Sequence, residues 1–363
     1  MIPIADPDIG PEERGRVATV MENGQLADGP EVRAFEEEFA NFCGAEYGVA
    51  TSNGTTALHV ALEALELGPG DRVATTPFSF IASANAIRLC GAEPVFLDVD
   101  PRTYNLDPRA LEAALRDGAE IDAVLAVHLY GLPADAPRLR EIADEHDLLL
   151  VEDAAQAHGA AVDGAPVGSF GDAACFSFYP TKNMTTGEGG MVLTDRADVA
   201  ERAARYVNHG RAAAGYEHVS VGHNFRMTSV AAAIGRAQLE KLPGYVRDRR
   251  SNAARLDELL ADAPVETPVE PSGYRHAYHQ YTIRCDDRDG LRSALDDRGI
   301  GTGIYYPIPI HRQPAYDDVD HRAPHAERAA AEVLSLPVHP NLSEEDVDRV
   351  GSAVAEYAGE VVA

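Results

Sequence analysis

Leu148-Leu149-Leu150-Val151-Glu152-Asp153-Ala154-Ala155-Gln156 runs four apolar residues straight into two carboxylates. An apolar run without alternation suits a strand buried on both faces, and such strands belong to parallel sheets covered by helices. The flanking sequence repeats the theme. Residues 47–50, 72–76, 93–99, 123–129, 174–178 and 190–193 read as further strands. Residues 55–67, 81–89, 107–116 and 136–146 read as helices between them, with Asp107 as an N-cap. Strands alternating with helices predict an α/β fold with a mostly parallel seven-stranded sheet between helices. After residue 228 the pattern changes. Residues 229–242 and 245–260 read as two long helices joined at Pro243-Gly244. A smaller α+β unit follows, with a strand near 278–284, a helix over 291–298, and a last helix begun by Ser343 with Asp346 as its capping-box partner. A chain of 363 residues exceeds the usual single core. The expected division is an N-terminal segment 1–30, a large α/β domain 31–242 and a small C-terminal α+β domain 243–363.

The formal net charge of −28, from 59 acids against 31 bases, repels phosphate backbones and anionic lipid surfaces. Neither nucleic-acid nor membrane binding is expected. Cys43, Cys90, Cys175 and Cys285 lie far apart, with no spacing that suggests a zinc site or a disulfide framework. No metal is expected. Residues 1–7 lack the basic-then-apolar order of a signal peptide, and no apolar run approaches membrane-spanning length. These features predict a reduced, cytoplasmic protein. Acid spread along the whole chain, with lysine nearly absent, predicts a halophilic one.

Two lysines stand among the 31 basic residues; the rest are arginine. One is Lys182, in Phe176-Ser177-Phe178-Tyr179-Pro180-Thr181-Lys182-Asn183, with Thr185-Thr186-Gly187-Glu188-Gly189-Gly190 close behind. An amine can shed its proton and condense with an aldehyde; a guanidinium cannot. Lys182 is therefore either an ordinary loop lysine or the attachment point of pyridoxal phosphate, and the second reading makes further demands. A carboxylate must keep the pyridine nitrogen protonated. Asp153 emerges where the apolar run stops, at the edge where open α/β sheets bind ligands, although it could instead cap a helix. Gln156 follows three residues on and can address the ring. The phosphate needs amides and hydroxyls at a helix start, which Gly54 and Thr55 in Ser52-Asn53-Gly54-Thr55-Thr56 can supply unless they only open the helix. Ser177 is a further donor. Phe80, at a strand–helix junction, can cover the ring or pack in the core. Gly187, Gly189 and Gly190 allow the positive backbone dihedrals of a tight loop.

Taken together, Asp-x-x-Gln, then Ser-x-x-x-x-Lys, then Gly-Glu-Gly-Gly resembles the DegT/DnrJ/EryC1/StrS family of pyridoxal phosphate-dependent sugar aminotransferases, of fold type I. The resemblance extends from Gly24-Gln25-Leu26 through His223-Asn224-Phe225-Arg226-Met227 and Tyr305-Tyr306-Pro307 to Leu334-Ser335-Leu336-Pro337. It implies Lys182 as the Schiff-base lysine, Asp153 as the partner of the pyridinium nitrogen, and Gln156 and Phe80 against the ring. It also implies Gly54, Thr55 and Ser177 on the phosphate, with Asn224 reaching the phosphate of the neighbouring subunit in a homodimer with shared sites. The implied reaction moves an amino group, usually from L-glutamate, to a nucleotide-linked 3- or 4-keto sugar for amino-sugar and surface-glycan biosynthesis. Arg211, Tyr306 and His311 lie in loops suited to the nucleotide sugar. Related dehydratases carry histidine in place of the lysine, so Lys182 favours transamination. The competing readings are another fold-type-I enzyme, such as a desulfurase, or a pyridoxal phosphate-binding regulator without turnover.

At −28 per chain, two subunits repel strongly once the Debye length grows to ~30 Å near 0.01 M salt. The expected dimer should therefore sediment intact in about 1 M salt and dissociate near 10 mM. A dimer unchanged across that range would refute the salt dependence.

Overall fold

The computed structural model describes residues 1–212, 214–319 and 321–362, the last three by backbone only. Two helices, α1 (Pro11–Asn23) and α2 (Pro30–Cys43), precede the first strand, β1 (Tyr47–Thr51). Then come α3 (Gly54–Ala64), β2 (Arg72–Thr75), α4 (Ala82–Leu89), β3 (Glu93–Phe96), α5 (Pro108–Arg116), β4 (Ala123–Val127), α6 (Ala136–Glu145) and β5 (Leu149–Asp153). Two short strands, β6 (Ala161–Val162) and β7 (Ala165–Pro166), lead to β8 (Ala173–Ser177), β9 (Gly190–Thr194), α7 (Ala197–Tyr206) and α8 (Ser229–Leu260). The remainder comprises β10 (Tyr274–Arg275), β11 (Tyr281–Arg284), α9 (Arg288–Asp297), α10 (Pro324–Glu332), β12 (Val333–Leu336) and α11 (Glu344–Val362).

Seven strands form one sheet in the order β1-β9-β8-β5-β4-β2-β3. β9 runs antiparallel to both its neighbours, and the other pairings are parallel. Side chains alternate between faces along each strand. Val73, Leu125, Val151, Cys175 and Val192 face α3, α4 and α7. On the other side Ala74, Val124 and Leu150 face α5 and α6, while Ala174, Phe176 and Met191 face α2 and α8. With helices on both faces, β5 can be apolar throughout, as its sequence reads.

Asp107 accepts from the Arg109 amide, and Ser343 and Asp346 exchange the two bonds of a capping box. The two helices expected over 229–242 and 245–260 are in fact one, α8, which runs unbroken through Pro243 and across the expected domain boundary. A proline costs a helix interior roughly 3 kcal/mol, because its ring nitrogen cannot bond the carbonyl one turn back. Here Leu239, Leu242 and Val246 stay buried in one stripe across it, so packing holds the helix straight through. Farther along α8, Ala253, Leu256 and Leu260 join a separate core under β11 and β12, which also takes in Ile2 from the N-terminus. Helices α1 and α2 each follow an N-cap glycine, which offers no side-chain N-cap signal in the sequence, although Glu13 accepts from the Gly10 amide at 2.7 Å. The strand expected near 278–284 is shorter, starting at Tyr281, since Tyr278 adopts a left-handed φ of 43°.

The glycine loop differs from expectation in its reason. Of its three glycines only Gly187 has a positive φ, 83°. Gly189 and Gly190 are required by proximity: a methyl on Gly189 would lie 2.8 Å from Met227 Cε, and one on Gly190 would sit on the Asn53 carbonyl, 2.6 Å from its carbon. Gly190 pairs with Thr51 on one side and Ser177 on the other, at the ligand-facing edge. Gly190→Ala should cost ~1–3 kcal/mol in denaturant unfolding and weaken pyridoxal phosphate binding, because Asn53 must move. Gly187→Ala, where space is open but φ is left-handed, should cost ~1–2 kcal/mol and leave that affinity unchanged. Equal effects on affinity would show that the close approach at Gly190 is not needed.

Candidate active site

The carboxyl ends of β5 and β8, the start of β9 and the first turn of α3 meet at one edge of the sheet. Asp153, the last residue of β5, is buried. The chain leaves β5 in a turn and starts no helix there, so the capping alternative falls. The Oδ1 of Asp153 accepts from the Ala155 amide at 3.2 Å, and its Oδ2 from the Ser83 hydroxyl at 2.6 Å. Burial raises its pKa, opposed by the Ser83 bond, the Ala155 amide and the charge of Lys182. Adjacent Glu152 points to the opposite face, where two donors reach each oxygen. The Phe170 and Gly171 amides serve one, and the Gly168 amide and His128 Nε2 the other. Since His128 Nδ1 accepts from the Ala134 amide, Nε2 carries the proton and donates. Burial pushes Glu152 upward, but His128 and the amides outweigh it and leave it below the ordinary carboxylate value.

Lys182 follows β8 by five residues, and its amide is tied to the Tyr179 carbonyl. Its Nζ meets no acceptor among the described residues. Burial pushes its pKa down to about 8, with the Asp153 charge pulling the other way. Behind it, His158 and His279 are buried, and neither ring nitrogen of His158 has a partner among the described residues. Burial, then the charge of Lys182, depresses His158 to about 3. Buried Arg249 donates to the Tyr278 and His279 carbonyls. Reasoning from sequence missed this cluster; the only signal was a histidine in Gln156-Ala157-His158.

Asn53 caps α3 by accepting from the Thr56 amide at 2.9 Å. The Gly54 and Thr55 amides and the Thr55 and Ser177 hydroxyls remain without partners among the described residues. A Cβ on Gly54 would stand 2.6 Å from Ser177 Cβ, so these donors are close together. Gln156 is fixed at both ends: its Oε1 accepts from the Tyr130 amide at 2.7 Å, and its Nε2 donates to the Tyr306 hydroxyl at 3.1 Å. Phe80 is 53% exposed, so it is not a core residue; its ring centroid lies 5.9 Å from that of Tyr306. The backbone bearing Asn224 runs beside the α3 turn, where the Phe225 carbonyl accepts from Ser52, and Asn224 itself is exposed.

Two expected residues are not brought to this group. Arg211 is exposed on its own hairpin, donating to the Gly215 carbonyl, and lines a separate cavity of about 380 Å³ where Arg33 and Arg205 are paired with Asp28, Glu36 and Glu201. His311 is buried against Phe96 with its Nε2 3.0 Å from Glu327. Cys175 is buried inside β8, and burial holds its thiol well above the ordinary value, which a nucleophilic cysteine would not tolerate. Among the described residues no helix is long and apolar enough to cross a membrane.

The free amine, the buried carboxylate with a lone pair to spare on each oxygen, the unspent donors at a helix start and the exposed aromatic ring are what pyridoxal phosphate requires. The comparisons with known proteins agree. A UDP-N-acetyl-3-dehydro-alpha-D-glucosamine 3-aminotransferase of Acidithiobacillus ferrooxidans is 41% identical over 340 residues, 93% of this chain and 91% of that protein. A pleiotropic regulatory protein of Geobacillus stearothermophilus is 41% identical over 345 residues, covering 93% and 92%. The crystal structure of S. venezuelae DesV in complex with a ketimine intermediate superposes with a TM-score of 0.92 at 40% identity, covering 96% of this chain and 94% of that one. With residues 7–355 matched by its family model, the chain belongs to the DegT/DnrJ/EryC1/StrS aminotransferase family, whose cofactor is pyridoxal phosphate.

Proposed function

We infer that the protein moves an amino group from an amino acid, with L-glutamate the first candidate, to the 3- or 4-keto group of a nucleotide-linked sugar. The observation that carries this reading is the meeting of Lys182, Asp153 and the unspent donors of Gly54, Thr55 and Ser177 at one sheet edge. The substrate class rests on what the relatives act on, and the Acidithiobacillus enzyme, a 3-aminotransferase by name, favours carbon 3.

When bound, pyridoxal phosphate supplies a protonated ring that accepts the electron pair left as a proton departs from the donor's α-carbon. Lys182 would hold the cofactor through Nζ. Its amine, when free, would take the proton from the donor's α-carbon and return a proton to the sugar carbon that bore the keto oxygen. An amine with a pKa of about 8 is suited to both roles near neutrality. Asp153 keeps the ring nitrogen protonated. Gln156, clamped between Tyr130 and Tyr306, sets the position of the ring, and Phe80 covers one face and excludes water. Gly54, Thr55 and Ser177 hold the phosphate, with Asn224 contributed by the neighbouring subunit of a homodimer. Tyr306 borders the sugar. Arg211 donates to a carbonyl and meets no carboxylate among the described residues, which leaves it available to a diphosphate. His311 would serve only on leaving Glu327.

Borohydride reduction of the cofactor-loaded protein followed by peptide mapping should label Lys182; label on Lys241 would sink the assignment. In single turnover with glutamate, Lys182→Ala should be inactive, and Asp153→Asn should fold but lose far more than tenfold in rate. A loss within about tenfold, ~1.4 kcal/mol of barrier, would remove Asp153 from the ring nitrogen. A regulator without turnover would show no spectral change with glutamate.

The lowered pKa gives a separate check in the apoprotein. A depressed lysine is neutral above its folded pKa, so about a tenth of Lys182 is reactive at pH 7, roughly three-hundredfold more than for an ordinary lysine. The rate of pyridoxal phosphate capture should climb with pH and level off just above about 8. A climb continuing beyond the ordinary lysine value of 10.5 would show that burial leaves the amine unperturbed.

A further inference from the structure

Two buried serines stand at the junction of β2 and α4, Ser83 as the second residue of the helix and Ser79 in the loop before it. Ser83 is 1% exposed and Ser79 4%. Neither stands at the N-cap of α4, which is Ile81, and the helix has no side-chain cap among the described residues. Their hydroxyls form a chain instead, with Ser79 Oγ 2.9 Å from Ser83 Oγ and Ser83 Oγ 2.6 Å from Asp153 Oδ2. The proton order follows from the far end. An ionised carboxylate only accepts, so Ser83 gives its single proton to Asp153 and takes that of Ser79. The other bond to Asp153, from the Ala155 amide at 3.2 Å, is longer and leaves the carboxyl plane poorly held. Phe80 follows Ser79 in the loop before α4, so one strand–helix junction supplies both the ring's cover and the groups that aim its carboxylate.

We propose that Ser83 is a positioning residue for Asp153, fixing the plane of the carboxylate so that a free lone pair points at the ring nitrogen, and that Ser79 orients Ser83. The proposal rests on the reading of Asp153 as that nitrogen's partner. Among the groups opposing the effect of burial on Asp153, the Ser83 bond is the largest, which is consistent with a short bond to the charged form.

The test compares two cofactors on the apoprotein: pyridoxal phosphate, and deazapyridoxal phosphate, in which carbon replaces the ring nitrogen. Both can be attached by Lys182 and held by the phosphate donors, so the ratio of their affinities reports only the contact at the ring nitrogen. Wild type should prefer the natural cofactor. Ser83→Ala should cut that preference about tenfold, ~1.4 kcal/mol, through weaker binding of pyridoxal phosphate with the analogue within about twofold of wild type. A merely structural role would weaken both alike. An equal loss for both cofactors, or a preference unchanged or increased, would overturn the proposal. Ser79→Ala, which keeps the direct bond, should cut the preference less but in the same direction. If Ser83→Ala fails to fold, an unchanged preference in Ser79→Ala overturns the proposal by itself. Asp153→Asn separates the two levels. If it leaves the preference intact, the reading of Asp153 fails; if it erases the preference while Ser83→Ala does not, only the role of Ser83 fails.

Discussion

A carboxylate at the end of a dry strand governs this molecule. Asp153 lies where β5 runs out, with the sheet behind it and helices over both faces, and burial there works against its charge. Such a group persists only if its surroundings supply donors, and those donors dictate what surrounds it. The first turn of α4 must approach closely enough for Ser83 to reach it. Lys182 must come near enough for each charge to act on the other. The sharp turn after β5 returns the Ala155 amide to it.

Glu152 and Asp153 are neighbours in sequence with opposite fates, and the alternation of a strand is the reason. Glu152 turns to the face where His128 and three amides fill both oxygens, and so becomes a fixed internal anchor for the 168–171 turn. Asp153 turns to the face of α3 and α4, with one donor on each oxygen. A fully satisfied carboxylate has nothing left to offer a ligand. A half-satisfied one does, and only the second sits at the edge where a ligand can enter.

The same economy of donors marks the rest of the site. Asn53 satisfies the Thr56 amide by itself, which frees Gly54 and Thr55 from capping. Gln156 is spent at both ends and is therefore rigid, whereas Lys182 is spent at neither its charge nor its protons. Behind the lysine, His158, His279 and Arg249 form a buried polar layer whose imidazoles stay neutral because burial and two nearby cations oppose a further charge.

Local chemistry made much of this legible. The apolar run ending at Asp153 announces a buried strand, Asp107 and Ser343 announce helix starts, and Lys182 before a glycine loop announces reactive amine chemistry, because each signal is contained within a few residues. Other features depended on partners far away in sequence. Pro243 looks like a helix end, yet α8 passes through it because α1, α2 and the sheet bury the flanking stripe. Gly190 looks like a turn glycine, yet it is required by the Asn53 carbonyl more than a hundred residues earlier. Ser83 looks like an ordinary helix serine, and its bond to Asp153 spans 70 residues. Local patterning thus suffices for the α/β class and for singling out Lys182 and Asp153 as the candidate amine and carboxylate, because each signal lies within a short stretch of chain. The tertiary structure alone decided which donors are spent and which remain free, because hydrogen-bond satisfaction in a buried site is settled by neighbours in space, not along the chain.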